Sequence, residues 1–386
     1  MKIFLLTACM AIFGAGSVAA ADEDGFVPLF NGRDFTGWVN ANCAPETWSV
    51  TDGLIHCTGR PTGALRTTRQ YENFILEVDW RHLSRSGNSG VFIWGTPIAA
   101  PGVPFLRGIE VQVLDHGYAD DYEKQTGKKS DWFTTHGDVF PIHGATMKPF
   151  GRHHGDRSFP SEDRSKGTPE WNHYRIVCTN GVLRLSVNGK EVSGGEDCNY
   201  RKGYLALESE GAPVEFRNIR IREWPSSHPS ADLIAPEDTG LRAIFTGLDL
   251  RGWKTNAATE KRWNARGEHI VLRAGEADPA ATLWTEKSYK AAEFVFDCRP
   301  LKSSEGKPGS FPIVMVRGMD VRLADAAPGA SQRYSITVKG LEIVVKRGEK
   351  ESQRLSLPAE SPASGPFGLR DNGAGMELMN LYAREL

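Results

Sequence analysis

The chain has 386 residues, 40% of them hydrophobic and 24% charged, with a formal net charge of −2. That length and balance suit a globular protein of more than one domain. No run of Lys or Arg is dense enough to track a phosphate backbone, so the composition argues against nucleic acid as the main partner.

From the N-terminus, Met1-Lys2 is followed by the apolar run Ile3 to Phe13 and then by Ser17-Val18-Ala19-Ala20-Ala21, the layout of a secretory signal peptide over residues 1–21. A leader of this kind implies export to the periplasm or the exterior. A lipoprotein signal ending at Cys9 is the alternative, and it leaves a short apolar run before the cysteine. No other stretch is long and apolar enough to be a transmembrane segment. Removing the leader leaves Cys43, Cys57, Cys178, Cys198 and Cys298; Cys43 with Cys57 and Cys178 with Cys198 are candidate bridges in an oxidising compartment, and spacing decides neither.

Strand signals then dominate. Phe74 to Trp80, Gly90 to Trp94 and Ile109 to Leu114 are β-branched, aromatic and partly alternating. Gly117 to Trp171 breaks that rhythm: it is polar and Gly-rich, contains His136, His143, His153 and His154, and is bordered by His116 and His173. A long irregular insertion in a compact domain is a candidate for function. Tyr174 to Cys178 and Val182 to Val187 flank Asn180-Gly181, and Asn188-Gly189 follows, as in tight hairpins. Gly203 to Leu207 and Val214 to Arg222 complete the set, and Trp224-Pro225-Ser226-Ser227-His228-Pro229-Ser230 opens a linker.

Beyond the linker the opening phrase returns. Leu29-Phe30-Asn31-Gly32 to Gly37-Trp38 is matched by Ile244-Phe245-Thr246-Gly247 to Gly252-Trp253, Trp48 by Trp263, Tyr71 to Arg81 by Tyr289 to Arg299, and Gly203 to Leu207 by Gly365 to Leu369. The expected organisation is two tandem antiparallel β-sandwiches, all-β and closest to a jelly roll: residues 22–224, a linker over 225–240, and a shorter second domain over 241–386. The second copy lacks the His-rich insertion, so the first is the expected catalytic domain. Trp38, Trp48, Trp253 and Trp263, kept in both, are expected core anchors.

On the strand ending Glu110-Val111-Gln112-Val113-Leu114-Asp115-His116, Glu110 and Gln112 project from one face, and Asp115 joins them only at the strand end. The aligned second-copy segment is Asp320-Val321-Arg322-Leu323-Ala324-Asp325, where an Arg between two acids is expected to pair with both. Ser89 lacks a nucleophile-elbow context and is expected to serve a turn or hydrogen bond.

Taken in order, LFNGRDFTGW, WSVTDGLIHC, YENFILEVDWR, GNSGVFIW, GIEVQVLD, EWNHYRI and VEFRNIRIRE resemble the 3-keto-disaccharide hydrolase domain family over about residues 26–223. The resemblance implies a concanavalin-like jelly roll, export, and cleavage of glycosides whose C3 hydroxyl has been oxidised to a ketone. The family's NSG and ExQ segments fall on Asn88-Ser89-Gly90 and Glu110-Val111-Gln112, whereas Leu207-Glu208-Ser209-Glu210-Gly211 departs from the common pattern of a Gln and a His before the Gly.

A C3 ketone acidifies the hydrogen on C2, so a carboxylate, Glu110 or Asp115, is expected to remove it and expel the C1 substituent before water adds. Asn88, Gln112, Trp94, His143 and His154 are the expected substrate contacts. Glu110, Gln112 and His116 are the expected ligands of a divalent metal polarising the ketone. A separate sugar oxidoreductase must supply such a substrate. Two other readings stand beside this one: a carbohydrate-binding module without chemistry, with Trp94 and Trp132 stacking on sugar, and a retaining glycosidase using Glu110 and Asp115.

Overall fold

The computed structural model describes residues 24–301, 312–324, 327 and 329–386; the signal-peptide reading and Asp325 lie outside them. Four antiparallel sheets make up the fold, two in each half of the chain. In the first half a nine-stranded sheet runs, edge to edge, Thr146–Pro149, Lys190–Asn199, Val182–Val187, Asn172–Thr179, Phe74–His82, Val214–Glu223, Leu54–Cys57 and Trp48–Thr51, with Val27–Pro28 beside Val214–Glu223. Facing it is an eight-stranded sheet in the order His153–His154, Arg157–Ser158, Val139–Ile142, Gly108–Leu114, Asn88–Gly95, Tyr204–Ser209, Gly63–Thr67 and Trp38–Asn40.

Alternation explains the sandwich. Along Asn172–Thr179 every second residue is buried, so Tyr174, Ile176 and Cys178 enter the core while His173, Arg175 and Val177 face outward. From the opposing sheet Val91, Ile93, Ile109, Val111, Val113, Leu205 and Leu207 meet them. Asn180-Gly181 and Asn188-Gly189 have positive φ at both residues, which lets strands of right-handed twist reverse tightly.

In the second half the strand order repeats. Lys350–Ser356, Glu342–Arg347, Gln332–Lys339, Ala292–Pro300, Met376–Glu385, His269–Leu272 and Trp263–Arg266 follow the first half's larger sheet strand for strand, and Met319–Arg322, Ile313–Val316, Gly365–Leu369, Leu283–Tyr289 and Trp253–Lys254 follow its smaller one. Trp38, Trp48, Trp253 and Trp263 are all buried. The indoles of Trp38 and Trp253 donate to Leu29 and Ile244 carbonyls, each at 2.9 Å.

The insertion is more regular than its composition suggests. It forms the helix Gly117–Thr126 and four short strands, three extending the eight-stranded sheet and Thr146–Pro149 joining the other. The linker is also tied down, because Glu72 accepts from Ser226 and Ser227, and Arg66 pairs with Asp238 at 2.6 Å. Neither candidate disulfide is formed: all five cysteines among the described residues carry free, buried thiols. No helix among the described residues is long and apolar enough to cross a membrane.

The halves meet through the loop between Asn88–Gly95 and Gly108–Leu114. Asp297, fully buried, holds Arg333 through two bonds and accepts from Gly102 N at 2.9 Å and Asn380 Nδ2 at 2.7 Å. Tyr382 accepts from Ala99 N at 3.1 Å, and Asn380 donates to Val103 O at 2.8 Å.

Candidate active site

The strands Asn88–Gly95, Gly108–Leu114 and Tyr204–Ser209 lie side by side, and their alternation sets Gly90, Glu110, Gln112 and Glu208 on the face away from the core. The insertion roofs that face. Between roof and sheet lies a cavity of about 240 Å³ whose floor holds Asn88, Glu110, Gln112, Glu208 and Glu210 and whose walls include Trp132, Phe133, Phe140, His143 and Arg157.

Gly90 makes the floor. A Cβ there would sit 2.9 Å from Glu208 Oε2 and 3.0 Å from Glu110 Oε1, so the two carboxyls converge over the one residue that leaves them room. Glu110 and Glu208 are buried, and the Glu208 oxygens have no polar partner other than the neighbouring Glu210 carboxyl. Burial, with the charge of Glu210 added, pushes the Glu110 carboxyl up to about 8. Glu210 rises to about 7, chiefly by burial, and Glu208 is driven well above the carboxylate range by burial and the charges of Glu110 and Glu210.

Around the acids the polar groups are fixed. Asn88 Nδ2 donates to Glu210, Gln112 Nε2 donates to Asn88 Oδ1 at 2.9 Å and Ser89 O at 3.2 Å, and Gln112 Oε1 faces Arg157 at 3.5 Å. Arg157, the one Arg or Lys among the lining residues, lies over Phe140 with 3.4 Å to the ring centre and pairs with buried Asp138 at 2.9 Å. His143 stacks on Phe105 at 5.5 Å, and burial lowers its pKa. Ser89 donates to Glu208 O at 2.8 Å, a structural hydrogen bond.

Of the residues expected from sequence, the cavity gathers Glu110, Asn88, Gln112 and His143, and Trp132 on its wall. Asp115 is not among the lining residues. Its carboxylate accepts from Ser86 N at 2.8 Å, Gly117 N at 2.9 Å and Thr168 Oγ1 at 2.5 Å; burial alone would raise its pKa, but these bonds outweigh it and hold the group at about 2. It ties the insertion to the strand end. Trp94 is a core residue: its φ of 54° breaks the alternation, and the ring turns inward onto Phe74 at 6.3 Å, its indole N–H on Glu72 O. His154 lies exposed on the two-residue edge strand His153–His154. The expected metal set does not fit either, because His116 faces His136 and Asp163 rather than the cavity, and the Gln112 amide is already engaged on both atoms.

Glu208 and Glu210 were missed. Their signal was Glu-Ser-Glu at a strand end, two carboxylates on one face, at the place where the sequence leaves the family pattern. In the second half, strand register puts Ile313, Asp320, Arg322 and Arg370 where the first has Gly90, Glu110, Gln112 and Glu208. The expectation for Arg322 is corrected there: it is exposed, and Asp320 is paired by Arg370 at 2.8 Å.

The family of 3-keto-alpha-glucoside-1,2-lyase-like domains matches residues 25–222, half of the chain. The chain belongs to this family. Among its relatives, a 3-keto-disaccharide hydrolase of Bacteroides thetaiotaomicron is 23% identical over 254 residues, covering 52% of this chain and 79% of that protein. The crystal structure of a "putative glycosyl hydrolase" of Parabacteroides distasonis is 24% identical with a TM-score of 0.42, covering 52% of this chain and 95% of that one. A carbohydrate-binding module of Bacillus subtilis is 14% identical with a TM-score of 0.32, covering 49% and 98%. Family and curated relative make this a carbohydrate-active, hydrolase-like protein.

Proposed function

We propose that the first sandwich cleaves 3-keto-glycosides by elimination across C1–C2 followed by addition of water. The observation that carries this reading is the convergence of Glu110 and Glu208 over Gly90 in a roofed cavity, with burial holding both carboxyls near or above neutrality. In the scheme, Glu110 as carboxylate takes the C2 proton, the C1–O bond breaks, and protonated Glu208 gives its proton to the departing oxygen. Arg157 stabilises the negative charge that builds on the C3 oxygen. Glu210 and Asn88 orient the pair, and Trp132, Phe140 and the Phe105–His143 stack supply faces for the sugar and its aglycone. The three acids titrate as a cluster, so the active form is the partly ionised one.

The second sandwich is read as a divergent, noncatalytic copy, and the protein as exported through residues 1–21, acting after an oxidoreductase that makes the 3-keto sugar. The test is turnover of the mature chain on 3-keto-glucosides beside their unoxidised parents. Aglycone release from the keto forms alone, lost in Glu110→Gln, is expected. Equal cleavage of the parents would restore the glycosidase reading, and binding of either set without turnover would make the protein a carbohydrate-binding module.

A further inference from the structure

Outside the cavity, three side chains of the insertion and its border aim at one point. His116 Nε2 and His136 Nε2 face each other at 3.4 Å, and Asp163 places Oδ1 at 2.9 Å from His136 Nε2 and Oδ2 at 3.6 Å from His116 Nε2. The three ligand atoms lie within 4.8 Å of one another.

His136 shows why this is more than proximity. Its ring is buried against Trp80, with Nδ1 at 3.1 Å from Leu114 O and Nε2 at 2.9 Å from the Asp163 carboxylate. A neutral imidazole carries one proton, so one of its nitrogens would face an acceptor lone pair to lone pair. With Nδ1–H on the carbonyl, Nε2 is left bare, the arrangement usual for a metal-bound histidine oriented by a backbone carbonyl. A second proton on His136 would satisfy one carboxylate oxygen, and Ser165 Oγ, 2.7 Å away, offers His116 Nε2 a partner, so hydrogen bonds account for these atoms pair by pair. A cation among all three serves every atom at once. Two nitrogens about 3.3 Å apart are what tetrahedral zinc requires when each Zn–N bond is about 2.0–2.1 Å.

We propose that His116, His136 and Asp163 form a zinc site, with two imidazoles and one carboxylate as ligands and a fourth position open to water or to Ser165 Oγ, which lies 2.7 Å from His116 Nε2. The ligand set is borderline in softness, which favours zinc over magnesium or calcium. The ion joins the end of the strand Gly108–Leu114, the segment leading into Val139–Ile142, and the stretch after Arg157–Ser158. These are the pieces that carry Glu110, Phe140 and Arg157, so the metal braces the cavity roof without touching substrate. The proposal does not depend on the reaction assigned to the cavity.

The test uses the untagged mature chain, stripped with chelator and titrated with Zn²⁺ alone by calorimetry, with melting followed in parallel. One zinc per chain is expected, with a melting temperature raised by about 5 °C at saturation and no effect of Mg²⁺ at the same concentration. Co²⁺ should give the visible absorption of a four-coordinate site. Because His136 is buried and its loss could unfold the domain, the variants are Asp163→Asn and His116→Gln, each expected to weaken zinc about tenfold or more. Absence of zinc binding by the folded chain, or undiminished binding by both variants, would overturn the proposal. So would an NMR spectrum showing His136 doubly protonated with zinc present.

Discussion

The two halves of the molecule share a strand order and part company on one outer face. In the first half Gly90, Glu110, Gln112 and Glu208 lie under a roof; at the same register positions the second half carries Ile313, Asp320, Arg322 and Arg370, with Asp320 and Arg322 exposed. Asp320 and Arg370 form an ion pair 2.8 Å apart, each partner about a third exposed, a contact worth little in water. Glu110 and Glu208 in the first half are buried instead, and no Arg or Lys pairs with them among the described residues. What separates the first half's acids from an ordinary ion pair is therefore their burial and the missing side chain beneath them.

That comparison can be broken at several points. Glu110→Gln should lower kcat/KM on a 3-keto-glucoside by about 10³, while Asp320→Asn leaves it unchanged; equal losses would make the halves equivalent. Asp297→Ala, measured by denaturant melting, should cost about 3 kcal/mol or more, because it strands the Arg333 guanidinium between the halves. Its register counterpart Asp79, part-exposed and paired with His173 at 2.8 Å, should cost far less.

The acids also predict a pH dependence. Glu110 has an ordinary value of 4.5 and about 8 in the fold, and Glu210 shifts from the same value to about 7. The native chain therefore holds more protons than the unfolded one in that interval, and stability falls as pH rises from about 4.5 through about 8. The loss is read as a declining melting temperature that Glu208→Gln makes shallower. Gly90→Ala, which presses a methyl against both carboxyls, should reduce turnover about tenfold, an effect near 1.4 kcal/mol. The smallest effect is that of Asp320→Asn on stability, within about 0.5 kcal/mol.

Much of this was legible in the residues. The strands from Phe74 to Arg222 announced themselves by alternation and by two Asn-Gly turns, and the recurrence of Trp38 and Trp48 as Trp253 and Trp263 pointed to two sandwiches. Glu110 and Gln112 were placed on one face by the two-residue period alone. What stayed hidden was set across strands: Glu208 reaches Glu110 only because Tyr204–Ser209 lies beside Asn88–Gly95, a pairing between segments more than a hundred residues apart in sequence. Trp94 was misplaced because one positive φ reverses a face, and Asp115 because composition does not show how many amides a carboxylate will collect. His116 was grouped with Glu110 and Gln112, whereas it faces His136 and Asp163, which spacing along the chain does not reveal.

The contact between Asp297, Asn380 and Tyr382 and the Ala99–Val103 loop bears on the order in which the protein takes shape. That loop joins the strand of Gly90 to the strand of Glu110, and the residues that grip it follow it by 195 to 283 positions. Closing so long a loop is entropically costly and late. During synthesis the first sandwich can therefore assemble its sheets well before the connection between its two acid-bearing strands is clamped, and a chain whose second half misfolds leaves that connection loose.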